Sequence, residues 1–144
     1  MKIKNEKGFT GIDIAISVIV LFIFVSLIAV LIYNYNSSSK ELELKSEAIY
    51  LAIDEIEKIK NNGFKTYETV NKDSTQDADG NIVNQSVATD TKGFYKTISV
   101  IDYTDIEENR DKMPNLVKQI TVKITYMFKA KEQSVELTTV LSKD

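Results

Sequence analysis

Residues 14–33 read IAISVIVLFIFVSLIAVLIY, a run without a charge in which only Ser17 and Ser26 are polar. Twenty residues at 1.5 Å rise make a helix of roughly 30 Å, the thickness of a bilayer's hydrocarbon core. The competing reading is a buried core helix, but core helices of soluble domains keep a polar side and this run has none for more than five turns. The run therefore reads as a membrane span. The short N-terminal flank carries Lys2, Lys4 and Lys7 against Glu6, whereas Asn34, Tyr35, Asn36, Ser37, Ser38 and Ser39 follow the run uncharged. Such asymmetry predicts a single-pass chain in the cytoplasmic membrane, N-terminus cytoplasmic and C-terminus extracytoplasmic, with Tyr33 and Tyr35 at the interface.

The N-terminal edge of the run narrows the class further. A cleaved secretory signal has a shorter apolar region and a pair of small residues at its exit, and neither feature is present. The chain has no Cys, so a lipid-modified cysteine is excluded. Gly8 stands just before the apolar stretch and Asp13 lies five residues beyond it. A carboxylate entering a bilayer is costly and calls for a partner or a role.

Over residues 7–33, Lys7-Gly8-Phe9-Thr10-Gly11-Ile12-Asp13 and the run after it resemble the signal and N-terminal helix of type IV pilins and pseudopilins. The usual family form is G-F-T-L-I-E, so Gly11 replaces Leu and Asp13 replaces Glu. The resemblance implies cleavage between Gly8 and Phe9 by a prepilin peptidase, N-methylation of Phe9, and an assembly role for Asp13. In that family the acid neutralises the free amine of a neighbouring subunit inside the filament, a pairing that two desolvated charges require. Val30 stands where many major pilins carry Pro, which points toward a minor pilin or pseudopilin. Partners implied are the peptidase/methyltransferase, other pilin subunits and, before assembly, membrane lipid.

Composition restricts chemistry. Among 144 residues there is no His, Cys or Trp, so imidazole bases, thiol nucleophiles, zinc clusters and disulfides are all excluded. Five Gly and no phosphate-cradling loop leave no nucleotide site, and no cofactor is expected. The formal charge is −3 from 18 basic and 21 acidic side chains; loss of a leader with three Lys and one Glu leaves −5. A chain this acidic is a poor general DNA binder.

Beyond the span, Leu42, Ile49, Ala52, Ile53, Ile56 and Ile59 fall on one helical stripe, with Gly63 placed to end the helix. One helix is expected to run from the span to residue 62, its second half packed on a sheet. Asp54 with Glu57, or Glu55 with Lys58, could serve acid–base chemistry, but a solvated face with local ion pairs is the simpler reading. No enzyme is expected.

Residues 66–93 are polar. Asp77-Ala78-Asp79-Gly80-Asn81 resembles the middle of a calcium loop, yet the first acid and the bidentate Glu are missing, so a turn between two short strands is expected and no metal ligand is assigned. Residues 94–103, 117–129 and 133–141 read as strands, the last two joined through Ala130-Lys131-Glu132. Lys118, Lys123, Lys129 and Lys131 could form a basic strip for DNA, or protect a sheet edge.

The expected fold is α+β, a long N-terminal helix on an antiparallel sheet of three or more strands. The expected domains are a leader (1–8), a membrane and filament-core helix (9–35) and an extracytoplasmic head (36–144). The expected function is a structural subunit of a type IV pilus, competence or type II secretion-like filament, ending in a cell-surface filament. The alternative is an anchored extracellular ligand-binding domain that never polymerises.

Overall fold

The computed structural model describes residues 11–103 and 116–143. In chain order the elements are α1 (Gly11–Asn62), α2 (Phe64–Tyr67), β1 (Ser86–Ala88), β2 (Phe94–Asp102), β3 (Val117–Phe128) and β4 (Lys131–Ser142). The fold is α+β: one long helix and a four-stranded antiparallel sheet in the order β1-β2-β3-β4. Two compact units meet between Lys40 and Glu41, and each is described by itself.

In the first unit α1 is helical from Gly11, and the apolar side chains from Ile12 to Ile32 are more than 40% exposed around the whole circumference. Its mean hydropathy reaches 3.2 over the best window, with none of that window buried. By length and composition this helix can cross a membrane.

In the second unit the helix buries a small-residue stripe. Ala48, Ala52 and Ile59 are inaccessible, and Leu44, Leu51 and Ile56 are partly covered. Residues at i, i+4, i+7, i+8, i+12 and i+15 share a helical face. The stripe expected from the sequence is corrected in part: Ala52, Ile56 and Ile59 do face the sheet, whereas Leu42, Ile49 and Ile53 are exposed and lie away from it, and Leu44, Ala48 and Leu51 take their place. Ala48 and Ala52 decide the matter, because two methyl side chains let the helix approach strands that carry large ones. The helix stops at Gly63, whose positive φ of 73° few other residues adopt cheaply and whose amide donates to the Ile59 carbonyl at 3.2 Å.

Opposite the helix, Phe94, Ile98 and Val100 of β2 and Ile120, Val122, Ile124 and Tyr126 of β3 are buried. They alternate along each strand, as a sheet with one covered face requires. Register holds the layer together: Ile98 faces Val122, Val100 faces Ile120 and Val122 faces Leu137. Phe94 packs obliquely on Tyr126 with ring centroids 5.6 Å apart. Each fully buried Ile or Val contributes about 1.5–3 kcal/mol relative to its exposed state.

Three local elements depart from expectation. The β3–β4 link is the two-residue turn Lys129-Ala130, with φ of 50° and 60°, so β4 starts at Lys131. Paired positive φ marks the turn that matches strand twist, usually signalled by Asn-Gly, which is why Lys-Ala concealed it. Helix α2 runs into the start of the polar 66–93 stretch and strand β1 lies inside it. Asn84 continues the β1 edge without being a strand: its amide donates to the Ile98 carbonyl and its side-chain oxygen accepts from the Val100 amide at 3.0 Å.

Candidate functional site

The segment read from the sequence as a candidate for assembly lies in the first unit. Asp13 lies in the first described turn of α1. Both polar interruptions of the apolar run turn inward to their own backbone: the Ser17 hydroxyl donates to the Asp13 carbonyl and the Ser26 hydroxyl to the Phe22 carbonyl, each at 2.8 Å. Hydroxyls so satisfied leave an all-apolar exterior, the condition a helix must meet in hydrocarbon. Gly8 and Phe9 lie outside the described residues.

The acids of the second half of α1 form an ion-pair network. Lys58 Nζ sits 2.7 Å from Asp54 Oδ2 and 3.2 Å from Glu55 Oε1, and Lys96 Nζ of β2 reaches the same Glu55 oxygen at 2.9 Å. Asp54 and Glu55 together raise the proton affinity of Lys58, with Asp54 first. Because Glu55 is only 13% exposed and bridges helix to strand, it clamps the two layers together.

The 77–81 loop is an anchored turn. Asp77 Oδ1 accepts the amides of Asp79 at 3.0 Å and Asn81 at 2.8 Å, and the Asn81 side-chain amide donates to both Asp77 oxygens. Gly80 turns the chain at φ 82°, and a single bridge, Gln76 to Ile82, replaces the two short strands expected. Asp79 accepts from the Thr66 hydroxyl at 3.1 Å, tying the loop to α2. Asp77 thus spends its lone pairs on protein amides, and among the described residues no three His, Cys, Asp or Glu converge on a point.

Beneath this loop Tyr67 is 2% exposed. Burial, and next the negative charge of Asp77, push its hydroxyl up to about 12. An unfolded phenol ionises near pH 10, so the folded state holds a proton that the unfolded chain has shed. Stability from Tyr67 is therefore complete below about pH 10 and drains away as pH rises toward 12. Thermal unfolding of the full chain in detergent should show a steeper fall over that window than the Tyr67→Phe variant. Parallel curves would remove Tyr67 from the alkaline transition.

The four lysines do not form a strip. Lys118 shares the parity of Ile120, Val122 and Ile124 and is buried, its Nζ donating to the Val70 carbonyl at 2.8 Å and lying 2.6 Å from Asp102 Oδ1. The contact with Asp102 is one of charge, and the well-directed hydrogen bond goes to Val70. Lys123 faces the opposite side of the sheet and pairs with Glu136 at 3.2 Å. Lys129, the first residue of the turn, rides over the Phe128 ring at 5.4 Å, and Lys131 opens β4 after it. The alternation of β3 already carried the signal for Lys118, since it falls in register with the apolar face.

No family model matches this chain, and neither a curated protein nor a solved structure is significantly similar to it.

Proposed function

We propose that this chain is a structural subunit, a minor pilin or pseudopilin, of a filament of the type IV pilus, competence or type II secretion kind. The observation that carries the reading is a conjunction in residues 7–33. Gly8-Phe9 precedes an acid at Asp13, and the helix that carries Asp13 is apolar on every side from Ile14 to Ile32. In this reading the precursor inserts with Lys2, Lys4 and Lys7 in the cytoplasm, and a prepilin peptidase cuts between Gly8 and Phe9. Phe9 is then methylated at its new amine.

Assembly follows from the same surface. Removed from lipid, the exposed side chains between Ile12 and Ile32 find equivalent apolar surface on neighbouring helices. Packing without polar contacts specifies no register, and a pair between Asp13 and the amine of the next subunit supplies one. The anchored, non-polymerising ectodomain shares the span but has no use for Gly8, Phe9 and Asp13 together.

Co-expression of the full chain with a prepilin peptidase, followed by intact mass measurement, tests the proposal. A mature protein that begins at methylated Phe9 is expected. A chain that still begins at Met1 would overturn it and leave the anchored ectodomain. Asp13→Ala should be cleaved normally yet enter filaments poorly.

A further inference from the structure

We propose that the free edge of β4 is a docking site for an extended, acidic segment of another protein, which adds to the sheet as a fifth strand. The proposal stands on the head alone and does not depend on filament assembly.

Register shows which backbone groups are open. The Lys143 amide donates to the Leu116 carbonyl, so odd-numbered residues of β4 direct their amides and carbonyls toward β3. Pairs alternate along an antiparallel ladder, so Ser134, Glu136, Thr138, Val140 and Ser142 present theirs to the outer edge. Among the described residues none of these groups is taken.

An edge of this kind is ordinarily blunted by Pro, a bulge, shortness or charge. β4 runs for 12 residues without Pro, and its pairing with β3 is unbroken from Val117–Ser142 to Phe128–Lys131. The opposite edge, β1, has three residues. Charges on β4 are confined to Lys131, Glu132 and Glu136, and residues 137–142 carry none.

A cleft of about 590 Å³ lies beside that uncharged half. Val140, Leu141 and Ser142 of this edge strand line it. Its other wall is the end of α1 and α2, with Phe64 supplying apolar surface and Lys60 and Lys65 supplying charge. Lys143 also lines it and is held by Glu68. The cleft is therefore net positive on a chain whose overall charge is −3. A strand in that position would bond its main chain to β4, place an apolar side chain against Phe64, and bring carboxylates to Lys60 and Lys65.

The test pans a random octapeptide display library on the full-length chain in detergent. Enrichment of peptides that carry acidic and apolar residues two apart, on one face of a strand, is expected. Val140→Pro removes an outward amide that β3 does not use, so the head keeps its ladder while the edge loses a donor. The enriched peptides should bind this variant at least about tenfold more weakly, and Lys60→Glu/Lys65→Glu should reverse the charge preference. Failure to enrich, enrichment without carboxylates, or unchanged binding to Val140→Pro would overturn the proposal. So would a dimer of the full chain that Val140→Pro dissolves, because a second copy would then own the edge.

Discussion

Replacing Lys118 by Met is expected to cost the head about 3–5 kcal/mol, a large share of a domain's usual stability. Lys118 is 4% exposed and its ammonium lies between the Val70 carbonyl and Asp102, whose side chain is 16% exposed. Met fills the same stem volume, so the loss is electrostatic. Asp102 is left with a desolvated oxygen, and Val70 loses its donor. Urea unfolding of the full chain in detergent, followed by tyrosine fluorescence, measures it. The double variant Lys118→Met/Asp102→Leu should recover most of the loss, because an apolar pair of similar size avoids the desolvation penalty. A single-variant loss below about 1 kcal/mol would mean that the pair behaves as a solvent-screened surface bridge.

Placing two lysines in the middle of the apolar run, Ile23→Lys/Phe24→Lys, is expected to expel the chain from the membrane. Both native side chains are more than half exposed, so neither change disturbs packing within the protein. Each lysine adds about 2.5–3.5 kcal/mol to insertion, roughly 5–7 kcal/mol together. Alkaline extraction of membranes should retain the native chain and the control Ile23→Leu/Phe24→Leu, and release the lysine variant. Retention of all three would show that residues 14–33 do not span a bilayer.

How much was legible in advance depended on whether a signal was local. The helix stop at Gly63 and the alternation of β3 are properties of a few adjacent residues, and the structure carries both. The turn at Lys129-Ala130 escaped because neither residue favours the positive φ it adopts. The buried face of α1 was caught at Ala52, Ile56 and Ile59 but missed at Leu44, Ala48 and Leu51, for a different reason. That stretch of helix carries two apolar stripes, one through Leu42, Ile49 and Ile53 and one through Leu44, Ala48, Leu51 and Ala52. Periodicity cannot rank two stripes, and the more hydrophobic one is the exposed one. Among the candidate site residues, Asp13 is placed at the start of α1, while Gly8 and Phe9 lie outside the described residues.

The sequence by itself determined the apolar span, its charged flank and the division into a long helix and a strand-rich head. Each of those follows from composition within one segment, and no distant contact can undo it. Only the tertiary structure decided that Lys118 is an interior residue, that Asp77 organises a turn, and that β4 is the last strand of the sheet with its outer edge open among the described residues. Those facts depend on residues far apart in the chain, such as Lys118 and Val70 or β4 and the end of α1. A side chain's burial and a strand's free edge are set by what the rest of the chain covers, and that is a property of the assembled layers alone.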